Sequence, residues 1–517
     1  MKLTMMVFAI LIYLIFMVYI GVLYSKKTKS ADDIYLGGRK LGPYVTAMSA
    51  EASDMSSWLL MGLPGVALMN GLVGGKAGFA EAVWTAVGLA VGTYINWLVV
   101  ARRIRIYSEK TGSVTIPAFL SDRFGDKKGI LTAIAAVVII VFFIPYTASG
   151  FSAVGKLASS LFGVDYHVAM VIGAVILVAY TVLGGFMAAS VTDFVQSIVM
   201  TIALFVVVCF GVENAGGVDK VADALRSIEG ISGLRQYLNL TGTDGSFGFL
   251  PIVSTLAWGL GYFGMPHILL RFMAIEDEKK LKVSRRVASV WVTISMGIAI
   301  VIGILGYVFV TNNNIIGTEG FDSERIVVYF ADAIANLDSF GAIIAGIIIA
   351  GILASIMSTA DSQLLAASSS VSENLIKRFF WKNMGDKAQL WLARITMVAI
   401  AVVGVLLAWN SDSSVFRIVS FAWAGFGAAF GPVILFALFW KRTTTWGAFA
   451  GILSGGAVVF IWKYLVRPLG GAFDIYELLP AFIVSTIAIV AVSLLTPKPD
   501  KAVEDTFDEV RAYCKAK

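Results

Sequence analysis

Apolar residues run along this chain in long stretches that short polar segments separate. The first stretch covers Met5 to Tyr24, and twelve more follow at 44–68, 77–100, 130–160, 167–187, 190–213, 249–272, 285–311, 341–372, 388–409, 414–440, 446–466 and 476–496. A helix needs ~20 apolar residues to cross a bilayer. The pattern therefore predicts an all-α polytopic membrane protein with thirteen transmembrane helices. The first stretch has no basic segment beyond Lys2 and no small-residue cleavage site, so we interpret it as an uncleaved span.

Composition narrows the class of protein. Of the 517 residues, 58% are apolar and 14% are charged, against about 45–50% and about 25% in soluble domains. No polar stretch is long enough for a separate soluble domain, which needs at least ~50 residues. These numbers exclude a cytosolic enzyme, a disordered chain and an anchored soluble domain. The two cysteines and the two histidines lie far apart in sequence, so neither a disulfide framework nor a His/Cys metal site is expected.

The net charge of +6 is better explained by loop topology than by a nucleic acid partner. With thirteen spans, one face of the membrane receives about thirty of the 40 Lys and Arg residues, including Lys26, Lys27 and Lys29. The positive-inside rule then places the N-terminus outside and the C-terminus in the cytoplasm. The loops at about 214–248 and 312–340 fall outside. The tail, 497–517, mixes both charge signs and predicts a short solvated helix.

The span at 44–68 carries polar residues at its centre: Glu51, Ser53, Asp54, Ser56 and Ser57. A carboxylate in mid-membrane costs roughly 2.5–3.5 kcal/mol, so such residues are candidates for a functional site. The alternative is a polar side chain that simply faces a neighbouring helix.

The span at 249–272 contains three glycines and a proline between Trp258 and His267. These residues weaken helical hydrogen bonding, although a glycine-rich packing face would produce the same pattern. The two weak spans begin successive blocks of five spans, and five is odd, so the second block has inverted topology. Interrupted helices at matching positions of two halves point to the midplane site of a transporter.

A third polar cluster lies in the span at 341–372. Ser355, Ser358, Thr359 and Ser362 recur at helical spacing and share one face. Hydroxyl and carbonyl oxygens suit a sodium ion, whereas the alternative is a set of small residues for close helix packing. Asp361 lies beside this face, and Asp193 adds a carboxylate in the span at 190–213.

Several segments resemble a known family. Residues 52–65 and 258–269 are similar to the first and sixth core helices of bacterial sodium/proline symporters, and 36–43, 357–359 and 422–432 also fit. The similarity extends in order over nearly the whole chain. It implies the sodium/solute symporter family and its leucine-transporter fold, in which two inverted five-helix repeats with discontinuous first and sixth core helices carry flanking helices.

The resemblance implies specific site residues. The sodium ligands would be the carbonyls of Ala52, Met55 and Ser355 and the hydroxyls of Ser358 and Thr359. Asp54 and Ser56 match positions that couple sodium to proline. The proline pocket would contain Ser56, Trp58, Tyr146, Trp258, Tyr262 and Pro266. Without the resemblance, Tyr146 and the tryptophans would read as core residues or as an interfacial aromatic belt.

Two departures from the family pattern stand out. Glu51 replaces a frequent glycine, and Asp361 replaces a hydroxyl that relatives with a second sodium site use. Asp193 matches the carboxylate of that second site. Asp361, Ser362 and Asp193 therefore form a possible second site for a cation or a proton, and Glu51 is a further coupling candidate.

The expected function is sodium-coupled uptake of L-proline by alternating access across the bacterial cytoplasmic membrane, without enzymatic activity and with no soluble partner evident. The expected organisation is an extra helix and loop (1–42), a first repeat (43–213), an external loop (214–248), a second repeat (249–440), two peripheral helices (441–496) and a tail (497–517). Sodium symport of pantothenate, urea or another amino acid, or a channel, remains open.

Overall fold

The computed structural model describes residues 2–25, 31–69, 78–227, 234–243, 245–315, 321–410 and 414–515, and this part of the chain contains helices and no strand. Lys26, Lys27 and Lys29 lie outside the described residues. The α-helices are α1 (Lys2–Ser25), α2 (Ala31–Leu36), α3 (Pro43–Ser57), α4 (Leu63–Met69), α5 (Gly78–Ile95), α6 (Ala101–Thr111), α7 (Ile116–Phe124), α8 (Ile130–Phe162), α9 (Tyr166–Asn214), α10 (Val218–Arg226), α11 (Leu234–Tyr237), α12 (Phe249–Leu256), α13 (Pro266–Ala274), α14 (Leu281–Asn312), α15 (Ile326–Ala335), α16 (Ser339–Ser369), α17 (Asp386–Leu407), α18 (Val415–Phe439), α19 (Thr445–Ile461), α20 (Leu478–Leu495) and α21 (Lys501–Lys515).

Irregular helical turns connect several of these elements. The π-helical segments are Trp58–Gly62, Asn96–Val100, Ser370–Phe380 and Trp462–Val466, and the longest 3₁₀ segment is Ala257–Gly264. Short 3₁₀ turns cover Gly37–Arg39, Glu278–Lys280, Ser323–Arg325, Arg467–Leu469 and Gly471–Phe473. Runs of 3₁₀ helix longer than three or four residues are uncommon, so the eight residues at Ala257–Gly264 mark an unusual place in the fold.

The predicted apolar stretches all contain helix. Within the described ranges, ten helices are long and apolar enough to cross a membrane. The segments Tyr166–Val182 and Phe249–Gly264 are apolar but shorter, and the stretch predicted at 44–68 is divided between α3 and α4. The structure therefore establishes a multi-pass α-helical membrane protein, and the number of thirteen crossings stays a prediction.

The boundary between the stretches predicted at 167–187 and 190–213 differs from the expectation. The chain is helical through 188 and 189, and the only non-helical backbone within α9 is at Gly185, with φ 66° and ψ −175°. Glycine reaches such angles at little cost because it has no Cβ. The change of direction therefore falls at the glycine rather than at the polar residues that follow it.

The centre of the fold is built around α16. This helix packs against α3, α8 and α9, and α1 covers α9 and α16 from outside. The 3₁₀ segment Ala257–Gly264 packs between α5 and α18. Every residue of α3 from Thr46 to Ser57 is buried, so the polar centre of this helix faces protein rather than lipid.

Backbone hydrogen bonds join the segment just before α3 to the end of α13 and the residues that follow it. The Leu41 N–H donates to the Ala274 carbonyl at 3.1 Å, and the Glu276 N–H donates to the Leu41 carbonyl at 3.0 Å. The Arg39 guanidinium adds a hydrogen bond to the Met273 carbonyl at 2.6 Å. These contacts hold one end of the two interrupted helices together.

The C-terminal tail is helical as predicted, but it is not simply solvated. Phe507 and Val510 of α21 are buried, and the Arg123 guanidinium lies 4.8 Å from the centre of the Phe507 ring. Lys441 forms an ion pair with Asp508 at 2.6 Å. The tail is therefore an amphipathic helix whose apolar face packs against the rest of the protein. The mixed charges of its sequence did not indicate this contact.

Candidate functional site

The first interruption lies within the segment from α3 to α4. Its backbone leaves helical geometry at Ser56, which has φ 42° and ψ −169°. A positive φ is unusual for a residue other than glycine. The Ser56 hydroxyl accepts a hydrogen bond from the Trp58 N–H at 3.1 Å. Serine side chains compete in this way with the backbone hydrogen bonds of a helix, which explains why the helix is interrupted in this serine-rich segment.

The second interruption lies between α12 and α13. After the 3₁₀ segment Ala257–Gly264, Met265 is extended, with φ −76° and ψ 109°, and Pro266 begins the next helix. The glycines are also packing positions, since a Cβ at Gly259 would overlap the Gly88 carbonyl and one at Gly261 would overlap the Trp423 indole. The glycine pattern therefore serves both close packing and the loss of α-helical geometry.

A cluster of neutral oxygens joins α3 to α16. The Ser358 hydroxyl donates to the Ala52 carbonyl at 2.8 Å and lies 3.3 Å from the Ser355 carbonyl. The Thr359 hydroxyl donates to the same Ser355 carbonyl at 3.2 Å. Hard cations prefer such oxygen ligands. We call Ala52, Ser355, Ser358 and Thr359 the oxygen joint.

Met55, the fifth predicted sodium ligand, is placed differently. Its carbonyl accepts the N–H of Trp58 at the break in α3. The oxygen joint thus brings together four of the five predicted ligands, and the fifth lies at the adjacent interruption.

Aromatic side chains enclose the region between the two interruptions. The ring centres of Trp58 and Trp258 are 5.9 Å apart, and both rings are buried. Phe416 approaches both rings, at 6.4 and 5.4 Å. Tyr476 stacks on Trp258 at 5.0 Å. The tryptophans thus belong to the interior, and a role in an interfacial belt is wrong for them.

Asp54 connects the aromatic residues to the first interruption. The Tyr262 hydroxyl donates to its carboxylate at 2.5 Å. The Tyr146 hydroxyl donates to its backbone carbonyl at 3.3 Å. Trp423 completes the group, because its indole N–H donates to the Trp258 carbonyl at 2.8 Å and its ring meets Tyr262 edge-on at 5.1 Å. Five predicted residues, namely Asp54, Trp58, Tyr146, Trp258 and Tyr262, therefore form one buried group. We call its four aromatic residues the aromatic group.

The predicted residues Ser56 and Pro266 contribute through the backbone. Ser56 supplies the positive φ of the first interruption, and Pro266 occupies the first turn of α13, where its missing N–H costs nothing. Both are buried. Ser56 lies two residues before Trp58 and Pro266 four residues after Tyr262, so each interruption is adjacent in sequence to one of the buried aromatic residues.

A second polar cluster joins α3 and α16 to α9 and α13 and carries formal charges. Arg271 forms an ion pair with Asp193 at 3.2 Å and donates to the Ser362 hydroxyl at 2.5 Å. The Ser49 hydroxyl donates to Asp193 at 2.7 Å. Asp361 accepts the Tyr180 hydroxyl at 2.5 Å and lies 3.1 Å from the Ser362 hydroxyl. We call Ser49, Tyr180, Asp193, Arg271, Asp361 and Ser362 the charge cluster.

Arg271 was not expected in the interior. The count of thirty basic residues on one face of the membrane includes Arg271, as part of a basic region at about 271–286, whereas its side chain is only 1% exposed. The misplacement has a simple cause, since Arg271 lies on α13, close to the end of a span. In the sequence, its separation from the lysines that follow could have indicated that Arg271 does not belong to the basic region.

Glu51 has neutral partners. Its Oε1 atom accepts the Trp97 indole N–H at 2.7 Å and the Thr93 hydroxyl at 2.9 Å. Glu51 is fully buried. Thr93 lies in α5 and Trp97 in the π-helical segment that follows it. These hydrogen bonds agree with the alternative of a polar residue that faces a neighbouring helix.

The model of the sodium:solute symporter family matches residues 34–455. This chain belongs to that family. The symporter is 42% identical to the high-affinity proline transporter PutP of Bacillus subtilis over 95% of this chain and 98% of that protein. It is also 42% identical to a sodium/proline symporter of Haemophilus influenzae over 98% of each chain.

The architecture agrees with this assignment. A solved structure of a sodium-coupled sialic acid symporter in a substrate-bound, outward-open state matches 96% of this chain and 98% of that one, with a TM-score of 0.78 and 19% identity. At this identity the match shows the fold alone. The family model and the two relatives confirm the family resemblance that the sequence motifs indicated.

Proposed function

We propose that this symporter takes up L-proline together with sodium by alternating access. The observation that carries the proposal is the near full-length similarity to curated proline transporters, at 42% identity for two of them. The oxygen joint and the aromatic group support it, because they supply the two kinds of contact that the cargo needs. Sodium is here a transported substrate.

The oxygen joint is the proposed sodium site. Ala52 and Ser355 would contribute carbonyls, and Ser358 and Thr359 would contribute hydroxyls. The joint links the interrupted helix to α16 through the hydrogen bond from Ser358 to Ala52. A cation at this place stabilises the conformation in which the two helices meet. If that conformation also binds proline better, the two ligands are thermodynamically coupled.

The aromatic group is the proposed proline site. A pyrrolidine ring is apolar, and Trp58, Trp258 and Tyr262 offer apolar faces. The secondary ammonium of proline gains a cation–π attraction of about 0.5–2 kcal/mol on such rings. The carboxylate of proline would bind backbone N–H groups at the end of an interrupted helix, near Ser56 or Pro266.

Asp54 is the proposed link between the two sites. It lies two residues after Ala52 on α3 and is held by Tyr262. Sodium at the oxygen joint and proline at the aromatic group would therefore act on the same short segment. This arrangement explains coupling without a direct contact between the ion and the solute.

The charge cluster bears on the number of cations. Asp193 and Asp361 are predicted to hold a second cation or a proton, and in the cluster the Arg271 guanidinium already lies against Asp193. We propose that this tethered cation serves in place of a second sodium. Asp361→Asn distinguishes the two hypotheses, because unchanged sodium and pH dependence of uptake would support the tethered cation and contradict the predicted second site at Asp193 and Asp361. A lower sodium Hill coefficient in the variant would instead support a mobile second cation.

The topology is proposed from the sequence. Thirteen spans would place the N-terminus outside and the C-terminus in the cytoplasm. Residues 43–213 and 249–440 would form the inverted repeats, and 441–496 would form two peripheral helices. The two interruptions, at Ser56 and Met265, support the repeat because they occupy the first span of each block. The bacterial cytoplasmic membrane is the proposed location.

The decisive experiment measures labelled proline uptake into proteoliposomes with and without an inward sodium gradient. Saturable uptake that requires sodium is expected. Competition by pantothenate, urea and other amino acids distinguishes the alternative solutes. Flux that neither saturates nor depends on sodium would indicate a channel and would overturn the proposal.

A further inference from the structure

An open pocket of about 600 Å³ lies away from the site described above. It is formed by the connection between α6 and α7, by the segment before α8, and by the π-helical end of the α16 span. That span continues from Ser339 to Phe380. The pocket is therefore at the end of this span.

Five basic side chains line this pocket: Lys127, Lys128, Lys377, Arg378 and Lys382. The acidic residues of the lining are Asp122 and Glu373. Glu373 is already satisfied, because Lys377 and Gln389 both bind its carboxylate. Arg378 is held in place by the Ser121 hydroxyl at 3.0 Å and the Asp126 carbonyl at 3.1 Å. The pocket consequently has a net positive charge with one rigidly positioned guanidinium.

Two of the lysines are available for a ligand. Lys128 and Lys382 are exposed, and neither has an ion-pair partner among the residues that the structure describes. A lysine ammonium carries three hydrogen-bond donors and binds phosphate as a point charge. The pocket thus offers unpaired donors to an anion.

Exposed aromatic residues flank the same pocket. Phe379 lines it, Phe380 is 85% exposed and Trp381 is 54% exposed. Trp391, in the following helix α17, is also exposed. Aromatic side chains concentrate at the membrane–water interface, so their exposure here favours a position beside lipid headgroups over one in open solvent.

We propose that this pocket binds the phosphate of an anionic phospholipid, whose acyl chains lie along Phe380 and Trp381. Basic pockets between transmembrane helices bind anionic headgroups elsewhere. The lipid headgroup and a free phosphate ion both present phosphate oxygens with negative charge to the pocket. The exposed aromatic residues favour the lipid, since a soluble ion gains nothing from them. The lipid would connect the end of the α16 span to the α6–α7 segment.

The test uses the full-length protein purified in detergent and stripped of lipid. Its thermal unfolding is followed during titration with short-chain phosphatidylglycerol, phosphatidylcholine or inorganic phosphate. Stabilisation by phosphatidylglycerol alone is expected. In the double variant Lys128→Gln with Lys382→Gln, the half-saturating lipid concentration should rise about 10- to 30-fold, because each basic residue near a headgroup contributes about 1 kcal/mol.

A matched double variant controls for charge. Lys498→Gln with Lys501→Gln removes two exposed lysines outside the pocket and should leave the lipid titration unchanged. If both double variants weakened the response to phosphatidylglycerol equally, the effect would be a general attraction of the basic surface for anionic lipid, and the proposal would be overturned. Saturation by inorganic phosphate, or equal stabilisation by phosphatidylcholine, would also overturn it. Sodium-dependent proline uptake by both variants confirms that each is folded.

Discussion

The oxygen joint and the charge cluster both take residues from α3 and α16 and differ in how their polar atoms are satisfied. The charge cluster also takes residues from α9 and α13. The joint contains only neutral carbonyls and hydroxyls between α3 and α16. The charge cluster, next to it, contains two carboxylates and a guanidinium that pairs with one of them. The Ser362 hydroxyl belongs to the charge cluster and lies 2.9 Å from the Ser358 carbonyl.

This difference indicates which cluster can exchange an ion. A neutral oxygen site gains its only charge from the ion that enters, so the ion can also leave. The charge cluster has its cation tethered through the chain, and separating a buried pair leaves an uncompensated charge. We infer that the joint is the mobile part of the mechanism and that the charge cluster is its fixed neighbour.

The largest expected effect comes from removing the tethered cation. Arg271→Met leaves Asp193 buried without its ion-pair partner, which costs about 3–5 kcal/mol for such pairs. Thermal unfolding of the purified variant should show a strong loss of stability. Adding Asp193→Asn should restore part of it, because the neutral amide needs no counter-charge. A single variant as stable as the parent would remove the contrast between the two clusters.

Tyr262→Phe is expected to have the next largest effect. The variant removes the hydroxyl that donates to Asp54 at 2.5 Å but keeps the ring. Hydrogen bonds to charged groups contribute about 1.5–3 kcal/mol, so the proline concentration for half-maximal uptake should rise about 10- to 100-fold. Tyr237→Phe, which alters a buried tyrosine elsewhere, is the control. An unchanged response to proline would separate Tyr262 from the solute site.

A smaller change is expected at the oxygen joint. Thr359→Ala removes one neutral ligand, and neutral hydrogen bonds contribute about 0.5–1.5 kcal/mol. The sodium concentration for half-maximal uptake should therefore rise about 3- to 10-fold, with little change in stability. Ser368→Ala is the matched control, since its hydroxyl donates within the same helix, to the Leu365 carbonyl. If both variants shift the sodium response equally, the joint is not the ion site.

The smallest effect is expected at an ion pair that is exposed to solvent. Lys441 pairs with Asp508 and Glu504 of α21, and its hydrogen bond with Asp508 raises the lysine pKa above 10.5. A raised pKa means that this contribution is present at neutral pH and is lost only in strongly alkaline solution. Lys441→Gln should leave uptake unchanged and release the tail slightly, as hydrogen exchange of α21 can measure. A large loss of uptake would contradict the view that exposed pairs are weak.

Local sequence features were sufficient for the helices and for the two interruptions. Long apolar runs predict spans without knowledge of their neighbours, and the serines around Asp54 and the glycines after Trp258 weaken a helix wherever it lies. The hydroxyl face from Ser355 to Ser362 also follows from helical spacing alone. Family resemblance then added the assignment of oxygens to sodium and of aromatic residues to proline.

Tertiary structure decided which charged and aromatic residues meet. Nothing near Arg271 in the sequence indicates that Asp193 will be its partner, and Phe416, Trp423 and Tyr476 join Trp258 from distant helices. The apolar face of α21 likewise became evident only against Arg123. Helix formation depends on neighbours within a few residues, whereas pairing of buried polar groups depends on packing between helices that are far apart in the sequence, 78 residues for Arg271 and Asp193. The sequence by itself therefore determined the spans and their weak points, and the packed helices determined how the charges are balanced.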